Sequence, residues 1–383
     1  MGGSELSMRV LIVTKIFPNA VEPASSPFNR QQFAALARRA EVELWATIPW
    51  FPGARLLRRW SAAGRLGEVP RQEQIDELSV RHPRVVYLPK LAAVNGALYA
   101  ASLTLDALAQ RGRVDVVLGS WAYPDGYAVV RLARRLGARA VIKVHGSDLD
   151  VLSRRATLRG RIRRALAGAD RVVAVSDALA ASAHELGAEQ VSVVRNGVDH
   201  ALFRPTPRPC RRRVLFVGRV ERDKGVLDLI RAVSLADATL SIVGTGSAEA
   251  RARALAARLG ANVTFAGARP HTEIPEWLAR SDVLALPSRH EGCPNVVLEA
   301  LACGRPVVAT RVGGIPELVS SKMLGELVAP DAPRCLADAL RCVLERTHDP
   351  WQLAATANVP SWAQSAAQLY DVLVEVLAQR EAA

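Results

Sequence analysis

The sequence predicts an α/β protein of two doubly wound domains facing a central cleft. Three observations carry this. Short β-branched apolar runs recur along the chain, as buried parallel strands do. Ala/Leu/Arg segments of helical period separate them and complete β-α-β units. One stretch, FRPTPRPCRRR (203–213), breaks the alternation with three prolines and a basic run, which is a linker pattern. A chain of 383 residues leaves enough strands on each side of that break for a separate sheet. Two such sheets would meet ligands at the carboxyl ends of their strands.

The strand-like runs follow in order. The first part holds MRVLIVT (8–14), EVELWAT (41–47), VDVVLGS (114–120), AVIKVHG (140–146), RVVAVS (171–176) and VSVVRNG (191–197). The second holds RVLFVG (213–218), TLSIVG (239–244), NVTFAG (262–267), DVLALP (282–287) and PVVAT (306–310). RQQFAALARR (30–39) and AEARARALAARLG (248–260) have helical period between strands. The expected domains are 1–205 and 206–360, with a C-terminal helix at about 361–380 whose last turns could pack back on the first, which periodicity alone does not show. Residues 1–7 precede a second methionine and are expected to be a disordered extension.

Composition narrows the function. Half the residues are hydrophobic and 23% are charged, which is a soluble globular balance. The cysteines, Cys210, Cys293, Cys303, Cys335 and Cys342, form no C-x-x-C pair, so they are expected to be reduced and structural in a cytosolic protein. No secretory signal or membrane-length apolar run is legible. The net charge of +13 comes almost wholly from arginine, which either a GC-rich coding sequence or attraction to anionic partners explains. No zinc-finger, RNP or basic-zipper pattern points to nucleic acid. Phosphate ligands and an anionic membrane surface remain. WFPGARLLRRW (50–60) mixes aromatic and apolar residues with Arg55, Arg58 and Arg59, which suits either an interfacial segment or a loop packed on its own domain.

The chemistry concentrates in EGCPNVVLEALACGRPVVAT (291–310). Asn295 to Cys303 reads as a short helix, with Pro294 in its first turn, Gly304 as left-handed cap and Pro306 preventing continuation. The N–H groups of Asn295, Val296 and Val297 would carry partial positive charge and favour a phosphate. Glu299, one turn in, has the two acceptor oxygens a ribose needs. Glu291 precedes the helix, next to whatever extends beyond the phosphate. Taken alone, a solvated loop charge and an ordinary helix-start carboxylate explain the two glutamates equally well.

In VGRVERDKG (217–225), Gly218 permits close backbone approach, and Arg219 with Lys224 pairs a planar fork with a point charge, a set suited to a diphosphate. VGTGS (243–247) places Gly244 and Gly246 after a strand, either a nucleotide-binding edge or a tight turn. In KVHGSD (143–148), His145 follows a strand on the expected cleft side, where a structural role competes with a catalytic one, and Asp148 suits an N-cap. SWAYPDG (120–126) adds a second polar loop to that edge.

Together, HGSD, VVAVSDAL, VVRNGVDHALF, VLFVGRVERDKGV, IVGTGS, VTFAG, LALPSRHEGCPNVVLEALACGRPVVAT and VGGIPELV resemble the family-four retaining glycosyltransferases of the GT-B fold, with two Rossmann-like domains. ATIPWFPG, HPRVVYLP and SWAYPDG are similar to a subgroup that builds exopolysaccharide or teichuronic-acid-type polymers. The resemblance implies a nucleotide-diphosphate sugar donor, no cofactor, no metal, and retention of anomeric configuration. Arg219, Lys224 and the N–H groups of Asn295–Val297 would take the diphosphate. Glu299 would hold the ribose, and Glu291 the transferred sugar, with His145 across the cleft near it. The base would rest on the Gly244–Gly246 and Gly267 loops. The acceptor would be a saccharide, lipid-linked by analogy with the subgroup, and the enzyme cytoplasmic or peripheral at the inner face of the plasma membrane. The family's Gly-Gly loop after the first strand is replaced by KIFPNAVEPASSPFNRQQF (15–33), where Pro27, Phe28 and Arg30 are candidate contacts. A non-hydrolysing nucleotide-sugar epimerase of the same fold, and an inactive nucleotide-sugar-binding protein, are the alternatives.

Overall fold

A computed structural model of the chain describes residues 8–23, 25–57, 61–88 and 91–381. The expected N-terminal extension lies outside these residues, as do Arg58, Arg59 and the side chain of Arg55. The chain forms two compact units, one of Met1–Asn196 with Trp362–Ala383 and one of Gly197–Ser361.

The first unit contains β1 (Arg9–Thr14), β2 (Glu41–Ala46), β3 (Ile48–Trp50), β4 (Gln72–Ile75), β5 (Leu78–Arg81), β6 (Arg84–Val86), β7 (Val116–Gly119), β8 (Arg139–Val144), β9 (Arg171–Ala174) and β10 (Val191–Val193). Eight of these form one sheet in the order β10-β9-β8-β7-β1-β2-β5-β4. Every pairing in it is parallel except the β4–β5 hairpin. The strand order reverses between β1 and β7, so their carboxyl ends open the crevice where such sheets bind ligands. β3 and β6 make a separate parallel pair. The hairpin and this pair escape a search for apolar runs because QEQI and RVV are short and partly polar.

The C-terminal helix Trp362–Glu381 belongs to this unit. Ala366, Leu369, Leu373 and Val376 repeat at helical spacing and bury in the same core as Phe33 and Leu36 of the helix Pro27–Ala37. Between these helices the Gln32 amide donates to the Ser365 hydroxyl at 2.8 Å, and Ser365 donates to the Arg195 carbonyl at 2.6 Å. The fully buried Lys143 ammonium donates to the Gln32 side-chain carbonyl and, at 3.4 Å, to that of Asn196.

The second unit contains β11 (Arg213–Val217), β12 (Thr239–Val243), β13 (Val263–Gly267), β14 (Val283–Leu286), β15 (Val307–Thr310) and β16 (Gly325–Val328), all parallel, in the order β13-β12-β11-β14-β15-β16. Its order reverses between β11 and β14.

The units divide at Asn196/Gly197 rather than at 205/206, and the reason is local. The Val198 N–H donates to the Pro360 carbonyl at 2.9 Å, and His200 Nε2 meets the Val359 carbonyl at 3.0 Å. The stretch expected as a linker is pinned to the second unit. Fully buried Asp282 accepts from the N–H groups of Cys210, Arg211 and Arg213 at 2.7, 2.9 and 2.8 Å and from Arg208 Nε at 3.0 Å. Buried Arg305 donates to the carbonyls of Thr206 and Pro207 at 2.8 and 2.9 Å. Three prolines remove donors, and two buried side chains supply the bonds that replace secondary structure.

Candidate active site

In the second unit the carboxyl ends of β11 and β14 carry the predicted residues. After β11 the chain turns at Gly218, whose N–H donates to the Val243 carbonyl at 3.0 Å. The Gly244 N–H donates to the Gly267 carbonyl at 2.8 Å, and the Val220 N–H to that of Thr245 at 2.9 Å. Glu221 accepts from the Ser247 N–H at 3.0 Å and from its hydroxyl, and these bonds hold its carboxyl below the usual range. The three glycine loops after β11, β12 and β13 are thus tied by main-chain bonds into one edge. Arg219 is exposed on it.

Lys224 and Glu291 meet. The ammonium Nζ stands 2.7 Å from Glu291 Oε1, with the two side chains only 17% and 12% exposed. Several contacts enforce this meeting. Gly225 sits at φ 68°, and a Cβ there would lie 2.0 Å from the Pro287 carbonyl oxygen, so only glycine lets the turn close on the loop after β14. On the other side, a Cβ at Gly313 would lie 1.7 Å from the Glu291 carbonyl oxygen, and the Gly314 N–H donates to the Gly292 carbonyl at 2.9 Å. Arg289 locks the arrangement: its N–H donates to the Asp223 carbonyl at 2.8 Å, and its guanidinium reaches the Arg222 carbonyl and the Asp331 carboxylate. The Asp331 hydrogen bond raises the Arg289 pKa.

The helix Asn295–Ala302 begins at Pro294 without a side-chain cap. The Val297 N–H donates to the Pro294 carbonyl at 3.0 Å, so it is already engaged within the turn rather than open to a phosphate as the sequence predicts. The helix ends with the Arg305 N–H returning to the Ala300 carbonyl at 2.8 Å, with Gly304 left-handed at φ 69°. Glu299 is buried, and its Oε1 stands 2.8 Å from His271 Nε2. The His271 ring lies 5.2 Å from that of the buried Phe203.

At the β1–β7 reversal of the first unit, the Ser120 hydroxyl donates to Asn29 Oδ1 at 3.0 Å and is 2.8 Å from His145 Nε2. Phe28 and Trp121 flank the imidazole, with ring centroids 4.9 and 6.1 Å away. Burial, and then Lys143, push the His145 pKa well below the ordinary histidine range, so the ring is neutral at pH 7. Lys15 Nζ lies 5.1 Å from the Trp121 ring centroid. The Lys15 N–H donates to Asp125 Oδ2 at 2.9 Å, yet burial still pushes this carboxyl up to about 6. Asp148 does not cap a helix with a side-chain bond. It accepts from the N–H groups of His145, Gly146 and Ala122 at 3.0, 2.9 and 3.0 Å, fixing both polar loops on one carboxylate. The Trp121 indole Nε1 is buried with no partner among the described residues. Of the loop candidates, Phe28 joins this cluster, whereas Arg30 pairs with Asp76 at 2.5 Å.

Within the second unit, then, Arg219, Lys224, Glu291, Glu299 and the glycine loops lie along the carboxyl edge of β13-β12-β11-β14, and Lys224 meets Glu291 where the strand order reverses. His145 anchors the equivalent place in the first unit. His271, Arg289, Lys15 and Asp125 were not singled out from sequence. His271 had one usable signal, since it lies in the loop directly after β13 (GARPHTEIP), on the ligand-binding edge.

Two open α/β units, each with polar side chains at its reversal of strand order, define the GT-B class. Solved structures agree on the fold. Sucrose-phosphate synthase from Thermosynechococcus elongatus superposes with a TM-score of 0.75 at 20% identity, covering 97% of this chain and 100% of that one. HepE of Anabaena, solved in complex with UDP, gives 0.71 at 22% identity, covering 96% and 100%. Residues 21–202 match the family model described as Glycosyltransferase Family 4, and residues 211–346 that described as Glycosyl transferases group 1. The D-inositol 3-phosphate glycosyltransferase 1 of Catenulispora acidiphila is 32% identical over 340 residues, 77% of this chain and 78% of that protein. The putative teichuronic acid biosynthesis glycosyltransferase TuaC of Bacillus subtilis is 28% identical over 358 residues, 87% and 88% of the two chains. The chain belongs to the family-four glycosyltransferases.

Proposed function

We propose that this glycosyltransferase moves a sugar from a nucleoside-diphosphate donor to a lipid-linked saccharide, with retention at the anomeric carbon and without a metal or other cofactor, in cell-surface polysaccharide assembly. The observation that carries the donor half is the Lys224–Glu291 pair at 2.7 Å, which joins the loop after β11, where Arg219 is exposed, to the loop that leads into the helix Asn295–Ala302. An ammonium in this position can exchange one of its bonds from carboxylate to phosphate without moving far. That exchange would leave Glu291 able to accept from a sugar hydroxyl. Glu299 would likewise turn from His271 to the ribose.

In the reaction, the bond between the anomeric carbon and the diphosphate oxygen breaks and negative charge grows on the leaving group. Arg219, Lys224 and the positive end of the helix Asn295–Ala302 would stabilise that charge, which is usually the largest kind of catalytic contribution. The acceptor oxygen attacks from the side the diphosphate leaves, and its proton passes to the departing diphosphate. Neutral His145 and the Trp121 N–H, which has no partner among the described residues, would bind hydroxyls rather than transfer protons. Similarity over most of both chains to a relative named for teichuronic acid biosynthesis supports a polymer-building role at the cytoplasmic face of the membrane.

The test incubates the protein with a panel of nucleotide sugars, with and without a bacterial lipid extract. Acceptor-dependent release of nucleoside diphosphate, and a lipid product with the donor's anomeric configuration, are expected. Inverted product, loss of turnover in chelator, or epimerised donor without transfer would each overturn the reading.

A further inference from the structure

The helix Ala92–Leu108 of the first unit is apolar on both sides. Tyr99, Ala100, Leu103 and Ala107 bury inward. Val94, Ala97, Ala101, Leu105 and Leu108 stand outward at helical spacing and are exposed. Leu105 is 81% exposed, Leu108 45%, Val94 43%, and Leu91 just before the helix 52%. Asp106 is the one charged residue in the helix. A soluble helix normally keeps such a row for its core, so a second one on the outside marks a surface that something covers.

The neighbouring helices say what chemistry covers it. Tyr127–Leu136 packs beside this helix and carries Arg131, Arg134 and Arg135 with no acidic residue. Arg135 Nη1 donates to Thr104 Oγ1 at 2.8 Å, which ties its guanidinium to this helix. The helix Ala156–Ala167 also packs here, through Tyr123, whose hydroxyl accepts from the Gly96 N–H at 2.8 Å and lies within electrostatic reach of Arg161. From Val151 to Gly168 there is no acidic residue, and Arg154, Arg155, Arg159, Arg163 and Arg164 are exposed. On the other flank, Tyr87 and Trp50 are each 44% exposed and joined by the Tyr87 N–H to the Trp50 carbonyl at 2.9 Å. An apolar row, an arginine rim and amphipathic aromatic rings at its edge are what the boundary of an anionic bilayer takes up.

We propose that the outward face of Ala92–Leu108, rimmed by the arginines of Tyr127–Leu136 and Ala156–Ala167, docks on a membrane of anionic lipids. A second copy of the chain fits less well, because a two-fold contact through this row would face arginine rim against arginine rim. The purpose of the docking rests on the lipid-linked acceptor, but the surface itself does not depend on it.

The experiment sediments the full chain with vesicles of phosphatidylcholine alone or with phosphatidylglycerol added. Wild type should pellet with the anionic vesicles, less so as salt rises. Losing the charge of Arg159 and Arg163 together should weaken binding on the order of 25-fold, from about fivefold per arginine, and Arg159→Glu/Arg163→Glu somewhat more. Leu105→Glu should weaken it roughly tenfold through the apolar row. Both variants change exposed side chains, so their thermal unfolding should match wild type. Absence of binding to anionic vesicles, or binding untouched in folded variants, overturns the proposal, as does a dimer that Leu105→Glu dissociates. Vesicle binding lost in the variants while wild type fails to glycosylate any lipid acceptor would support the docking face and contradict the proposed function instead.

Discussion

Replacing Lys224 with alanine separates two consequences of one contact. The ammonium is 2.7 Å from Glu291 in a site where both side chains are largely shielded from solvent. Its removal leaves Glu291 with a desolvated carboxylate and no cation. Part exposure discounts the cost to about 1–3 kcal/mol of stability, below the figure for a fully buried pair. In the reaction it removes one fixed donor to the leaving diphosphate, which lowers kcat by about 100- to 1,000-fold. Adding Glu291→Gln distinguishes the two. The double variant should regain most of the lost stability, because no unpaired charge remains, but none of the lost rate. The assay is nucleoside-diphosphate release at saturating donor, with thermal unfolding of the same samples. A Lys224→Ala enzyme within about threefold of wild-type kcat, or a double variant that recovers turnover, would refute the assignment.

Asp282→Ala should destabilise the second unit by about 3–5 kcal/mol in urea unfolding, since it strands three N–H donors and removes the carboxylate that pairs with Arg208, whose side chain is 8% exposed. A cost under about 1 kcal/mol would mean that the proline-rich stretch is held some other way. Asp125 binds its proton at about 6 in the folded chain against 3.8 as a free side chain. The folded state therefore holds more protons between these values, and stability falls by about 3 kcal/mol as pH rises through that window. Asp125→Asn should flatten that slope in unfolding measured from pH 4 to 7. Glu299→Gln should raise KM for the donor by about tenfold with little change in kcat, as loss of a contact made equally in ground and transition states does; an equal fall in kcat would place Glu299 in the chemistry.

The parts legible in sequence were those where one short segment carries the signal. Continuous apolar runs marked β11, β12 and β14 because strands buried on both faces need no polar alternation. The glycines at 225, 304 and 313 were visible in their motifs, although their reasons, the carbonyls of Pro287, Pro350 and Glu291, are tertiary. β16 was missed because GELV is short and only half apolar. The partners of the site residues were the least legible part. Lys224 and Glu291 were assigned to different groups of one ligand, and the fold pairs them with each other. Glu299 meets His271 from a different loop, and Arg289 reaches back to the Arg222–Lys224 turn. Such contacts depend on where two strands' ends meet, and no local pattern encodes that.

The most direct test of the central claim, a nucleoside-diphosphate site at the β11–β14 reversal, is a calorimetric titration of UDP, GDP, ADP and dTDP in turn into wild type and into Arg219→Ala/Lys224→Ala. One nucleotide should bind wild type, and the double variant should bind it at least about 100-fold more weakly while unfolding cooperatively, since each charged bond to phosphate contributes about 1.5–3 kcal/mol. Binding of none of the four to wild type, or equal affinity in the double variant, would contradict it.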